Sequence, residues 1–128
     1  MKIKIKFQDK EIEAELNETG TAKKIYENLP IKSKINLWGE EIYFEIPVSM
    51  DLEEPAKQDM DIGDLAYWPE GQAFCIFFGK TPVSINGKPK AISFVTLIGK
   101  AEKIGIFKKV KDREKIIVDK LEEKQENE

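Results

Sequence analysis

Histidine is absent from this 128-residue chain, and cysteine and arginine occur once each, as Cys75 and Arg113. These shortages remove several chemistries before any motif is sought. Cys75 has no imidazole to serve as its base. Lying between Phe74 and Ile76 in the most apolar run, it reads as a small, inert core residue. One cysteine excludes an intrachain disulfide, and a chain without histidine offers no zinc donor set, so no metal or other cofactor is expected. No apolar run approaches the ~20 residues of a spanning helix and no secretory segment precedes the first strand, so the expectation is a soluble, cytoplasmic protein with no membrane partner. Charge of one sign is scarce as well: 21 Lys and Arg against 24 Asp and Glu give a formal net charge of −3. Lysines and glutamates alternate closely, so there is no basic stripe of the kind a nucleic-acid partner needs. The small group Lys100, Lys103, Lys108, Lys109 and Lys111 reads as solvated surface.

What is present is a mixture of 41% hydrophobic and 35% charged residues, the balance of a globular domain, here expected over residues 1–121 with a charged tail over 122–128. The Lys/Glu-rich surface with few Asn and Gln is of the kind hyperthermophile proteins often show. Strict alternation in Lys2–Phe7 and Glu11–Leu16 predicts an antiparallel hairpin with one wet face, its lysines and glutamates facing one another. Ala22, Ile25, Tyr26 and Leu29 then form one stripe of a short helix, capped by Thr19 or Thr21 and stopped by Pro30. A strand begins at Ile35 and Leu37, and Trp38-Gly39-Glu40-Glu41 interrupts it as a bulge or turn. Ile42, Phe44 and Ile46 follow on one face, with Tyr43 and Glu45 on the other. Ser49 to Ile62 is acidic and without period, a long loop.

The most informative stretch runs from Gly63 to Pro82. Leu65–Trp68 and Ala73–Phe78 flank the turn residues Pro69-Glu70-Gly71-Gln72, which predicts a hairpin. Its second strand is continuously apolar and therefore covered on both faces. Asn86-Gly87 signals a further turn, Phe94–Ile98 a strand, Ile104, Phe107 and Val110 a brief second helix, and Lys115–Asp119 a closing strand. Many short strands with two small helices indicate a mainly β, mostly antiparallel barrel. Two familiar motifs fail on inspection. Asp59 to Asp64 misplaces the glycine and one oxygen ligand of an EF-hand, so Asp51, Glu53, Glu54, Asp59 and Asp61 are read as a solvated acidic loop able at most to hold a hard cation loosely. Gly79-Lys80-Thr81 shares only its ending with a phosphate loop.

Short strings in this order resemble cyclophilins: Thr21-Ala22 opening the helix, Gly63-Asp64-Leu65, Gly71 to Ile76, and Asn86-Gly87-Lys88. Longer strings, Trp38 to Phe44, Gly63 to Pro69 and Phe77 to Pro82, are similar to a family of small bacterial and archaeal proteins described as cyclophilin-like and lacking an assigned activity. The resemblance implies a closed antiparallel cyclophilin-like β-barrel with two short helices. It also implies a groove over Gln72 and Phe74, the two positions that match groove residues. The arginine with which cyclophilins hydrogen-bond the proline carbonyl is missing from the strand before the long loop, where Tyr43, Phe44 and Glu45 stand. The expected function is therefore a non-catalytic domain that binds a peptide or small ligand in a groove of Tyr43, Glu45, Trp68, Gln72 and Phe74. The alternatives are a prolyl isomerase with a rebuilt site, and an unrelated enzyme using Glu45, whose pKa would rise if it were buried beside aromatic rings. Nothing in the sequence specifies an oligomer.

Overall fold

The structure is a computed structural model that describes residues 1–122; the expected tail lies outside the described residues except for Glu122. The elements follow as β1 (Lys2–Phe7), β2 (Lys10–Leu16), α1 (Gly20–Glu27), β3 (Ile31–Lys34), β4 (Asn36–Trp38), β5 (Glu41–Glu45), β6 (Ala56–Asp59), β7 (Asp64–Trp68), β8 (Ala73–Phe77), β9 (Lys90–Ala101), a 3₁₀ helix (Ile104–Lys109) and β10 (Lys115–Lys120). They build one antiparallel sheet in the order β3-β10-β1-β2-β9-β7-β8-β5-β4, with β6 added on β9. No helix among the described residues is long and apolar enough to cross a membrane.

The expected closed barrel is met only in part, because the hydrogen-bonded path is open, with β3 and β4 as its two ends. The reason lies in one residue. β3 and β4 are consecutive, separated by Ile35 alone, so the sheet curls until its ends are covalent neighbours. Ile35 turns its own backbone out of the ladder: its N–H donates to Glu114 O at 2.8 Å and its carbonyl accepts from Arg113 N at 2.7 Å. The first half of this stretch therefore pairs with β10 and the second half with β5. A side-chain bond from Ser33 Oγ to Glu45 O (2.7 Å) spans the remaining gap.

The terminal hairpin places Lys2, Lys4 and Lys6 directly opposite Glu15, Glu13 and Glu11, while Ile3, Ile5, Phe7, Ile12 and Leu16 point into the core. Strand β8 is buried along all five residues. Phe74 and Ile76 enter the main core, and Cys75 and Phe77 enter a second cluster on the opposite face with Met60, Ala66, Ala91 and Val95. Gly63 leads into β7 at φ +97°, and a Cβ there would lie 2.4 Å from Ala101 O. The Asp64 that follows is buried, with its carboxylate on Lys57 Nζ (3.0 Å) and Lys100 Nζ (3.2 Å).

Thr19 caps α1, accepting from Ala22 N at 3.0 Å. The acidic loop turns out to contain a strand, β6, at the rim of the sheet against β9; half-exposed there, its residues carry no apolar alternation to betray them. One acid of this loop has a structural task. Glu53 accepts from Gly20 N (2.9 Å), Thr21 N (2.8 Å) and Thr21 Oγ1 (2.7 Å), which fastens the loop to the start of α1. These bonds to the charged form hold the Glu53 carboxyl below its ordinary pKa. Glu53→Ala is expected to lower stability by about 1–2 kcal/mol in urea unfolding, the size of a lost cap with charge-assisted bonds. Asp51→Ala, at an exposed position in the same loop, should leave the midpoint unchanged; equal losses in the two variants would rule out the fastening role.

Candidate functional site

Residues directly opposite one another on adjacent strands share a face. Glu41, Tyr43 and Glu45 of β5 stand opposite Phe77, Cys75 and Ala73 of β8, and Trp68 of β7 also stands opposite Ala73. On β4, Asn36 and Trp38 stand opposite Tyr43 and Glu41. The outer face of these strands therefore gathers acids and aromatic rings beside the second apolar cluster. Its cover is incomplete. A cavity of about 120 Å³ remains, lined by Trp38, Glu41, Tyr43, Trp68, Ala91, Ile92 and Val95.

The rings are positioned by local sequence. Gly71 in the β7–β8 turn makes room for Trp68: a Cβ on Gly71 would lie 2.3 Å from that ring. From the other side the indole Nε1–H donates to Ser93 Oγ at 3.0 Å. Tyr43 meets Trp68 edge to face, with ring centroids 5.9 Å apart and planes at 86°. Arg113 reaches this side of the sheet from the turn before β10 and donates to Asn36 Oδ1 at 2.7 Å; it does not line the cavity.

Glu41 carries the unusual electrostatics. Its residue is only 6% exposed, and burial raises its carboxyl pKa to about 8, partly offset by a hydrogen bond with the Cys75 thiol. Burial pushes the thiol itself well above its usual value, and the neighbouring carboxyl adds to that, so Cys75 is neutral as expected of a core residue. The cavity is thus bordered at neutral pH by a carboxylic acid that still holds its proton.

The five residues expected to form a groove divide. Tyr43 and Trp68 line the cavity. Glu45 is exposed at the far end of β5, and the buried acid is Glu41, four residues earlier on the same face. Gln72 lies in the turn at φ +49° with Nε2 donating to Ile46 O at 2.9 Å. Phe74 is fully buried and stacks on Phe44 at 5.1 Å inside the main core. Glu41 and Trp38 were hidden by reading residues 38–41 as a turn; the signal available was parity, because Glu41 shares the alternation of Tyr43 and Glu45. No cluster of three His, Cys, Asp or Glu side chains able to hold a metal occurs among the described residues.

The raised Glu41 pKa has a defined sign. The folded carboxyl keeps its proton above the pH at which the unfolded one loses it, so the contribution of Glu41 to stability is greatest below about 4.5 and declines until about 8. Glu41→Gln should remove that decline, gaining on the order of 3–5 kcal/mol over the native chain by pH 8–9 and almost nothing at pH 4. Urea midpoints taken from pH 4 to 9 check this; parallel profiles for the two proteins would refute it.

The family described as Cyclophilin-like matches residues 1–119. A solved relative is the hypothetical protein AF2241 from Archaeoglobus fulgidus, whose solution structure is similar at a TM-score of 0.80 and 41% identity, covering 94% of this chain and 95% of that one. None of the curated proteins matches. The family match spans every element up to Asp119 in β10, the solved relative shares the fold over nearly its full length, and the chain belongs to the cyclophilin-like family.

Proposed function

We propose that this is a non-catalytic cyclophilin-like binding domain that takes a peptide segment or small ligand into the cavity bordered by Tyr43 and Trp68. The observation that carries the reading is the pairing of half-buried aromatic rings with a desolvated acid in one opening, the mostly apolar lining with few polar anchors that suits a ligand. Glu45 at the far end of β5 and Gln72 in the β7–β8 turn are rim positions in this reading, and Phe74 supports the floor from the core. The curled sheet acts as a closed cylinder, with Ile35 as its seam. The net charge of −3 favours a ligand other than nucleic acid, and cytoplasmic action fits the composition.

The cavity is tested by titrating ¹⁵N-labelled protein with proline-containing peptides and small amphipathic ligands. The indole Nε1–H resonance of Trp68 should move, and Tyr43→Ala should weaken binding at least fivefold. No movement at millimolar ligand would overturn the proposal. Phe74→Ala is unsuited to this purpose, because emptying a stacked core position costs about 3–5 kcal/mol of stability.

One observation favours a second reading, prolyl isomerisation by a rebuilt site: the guanidinium of Arg113 is held on Asn36, the cross-strand partner of Tyr43. A protease-coupled proline-peptide assay separates the two. Turnover above background that disappears in Arg113→Ala would favour the isomerase, and background rates in both proteins favour the binding domain.

A further inference from the structure

We infer that the cavity receives a methylated ammonium group, held among the rings of Trp38, Tyr43 and Trp68 and neutralised by the carboxylate of Glu41. This deepens the reading of the cavity as a ligand site and rests on it. Three aromatic side chains and one acid converge on an opening whose remaining lining, Ala91, Ile92 and Val95, is aliphatic. Aromatic rings attract a cation through the negative potential of their faces, most strongly where water is excluded. Tyr43 and Trp68 meet edge to face with their planes nearly perpendicular, and both border the opening, so a compact cation there has two rings within reach.

The lining also selects against other ligands. Among the described residues it contains no lysine or arginine, so an anion would find no counter-charge from them. A bare ammonium must place three N–H donors, and the acceptor side chains here are the Glu41 carboxyl and the Tyr43 hydroxyl. The Trp68 N–H is already engaged with Ser93. Methyl groups remove that demand and add apolar surface that the rings and aliphatic side chains can cover. Size agrees: about 120 Å³ is small beside the ~300–1,000 Å³ of pockets for drug-sized ligands, so a head group enters and the remainder stays outside past the half-exposed Ile92.

Binding of a cation couples to a proton. In the free protein burial keeps the Glu41 carboxyl protonated up to a pH of about 8. A cation arriving against it favours the ionised form, so the proton leaves to solvent as the ligand enters. Among the described residues, the titratable groups beside Glu41 are the Cys75 thiol from β8, which interacts with its carboxyl, and the Tyr43 phenol, which lines the same cavity from its own strand. Trp38 of β4, Trp68 of β7 and residues Ala91 and Val95 of β9 are uncharged, and the Arg113 guanidinium is held on Asn36, outside the lining. Cys75 stays neutral because its own pKa is raised well above the usual thiol value. Affinity should therefore tighten about tenfold for each pH unit up to about 8 and level off above it.

The experiment compares choline, a short trimethyllysine peptide, and 3,3-dimethylbutan-1-ol, the uncharged isostere of choline, by calorimetry and the Trp68 indole resonance between pH 6 and 9. The proposal expects a cation, free or on the peptide, to bind at least tenfold tighter than the alcohol at pH 8.5. The tighter of the two cations identifies the source of the head group. Tightening with pH should vanish in Glu41→Gln, with affinity at pH 8.5 reduced at least tenfold. Equal binding of cation and alcohol would overturn the ammonium assignment while leaving the cavity a ligand site. Binding of a proline peptide or other probe at Trp68 without binding of either cation would do the same. Silence of every probe would remove both.

Discussion

Strand β8 is buried on both faces, and the rest of the molecule is arranged around that requirement. Ala73-Phe74-Cys75-Ile76-Phe77 offers no polar side to water, so a single-sided sheet would strand part of it in solvent. The inner face is satisfied by the core that the curled sheet encloses. The outer face needs a separate cover, and segments on either side of the β7–β8 hairpin supply it: Met60 from before β7, Ala91 and Val95 from β9. Tyr67, fully buried on β7, helps to anchor the returning chain, its hydroxyl donating to Val48 O at 2.7 Å and accepting from Met50 N at 3.2 Å.

Covering an outer sheet face has an electrostatic consequence. Glu41 is the first residue of β5 and shares the face of Cys75 and Phe77. Once apolar groups are drawn over that face, its carboxyl loses water, and the ionised form becomes unfavourable. The aromatic side chains at the margin stop short of filling the space, partly because Trp68 is pinned between Gly71 and Ser93. An opening beside a protonated acid results. Packing and chemistry here have the same origin, and the perturbed group lies in a concavity, which marks it as a functional-site candidate.

Sequence periodicity identified the frame well because periodicity records burial. The alternation of Lys2–Phe7 and Glu11–Leu16 appears in the structure as Lys–Glu pairs over a buried row. The unbroken apolar run at 73–77 is buried throughout, and the Thr19 cap and the brief second helix are found near their expected places. What escaped lies where burial is decided by distant segments. Strand β6 has no apolar alternation, since it pairs at the rim. The seam at Ile35 depends on bonds to Arg113 and Glu114, more than seventy residues away. Glu45 and Glu41 are indistinguishable by type and parity, and only the cover from residues near 60 and 91–95 decides which one is desolvated.

Family membership carries the fold, and the site has to be argued from its own residues. The sequence resemblance to cyclophilins implies a guanidinium on the strand before the long loop, a donor aimed at a carbonyl oxygen. In this chain that strand is β5, and its outer face presents Glu41 and Tyr43, while the guanidinium of Arg113 sits across β4 on Asn36. The opening is bordered by an acid, with no guanidinium among its lining residues. A cationic donor recognises an acceptor such as an amide carbonyl, whereas a desolvated carboxyl among aromatic rings recognises a proton donor or a cation. A shared frame with different side chains on that face therefore leaves the ligand class to be decided by the residues that line the opening, not by the family.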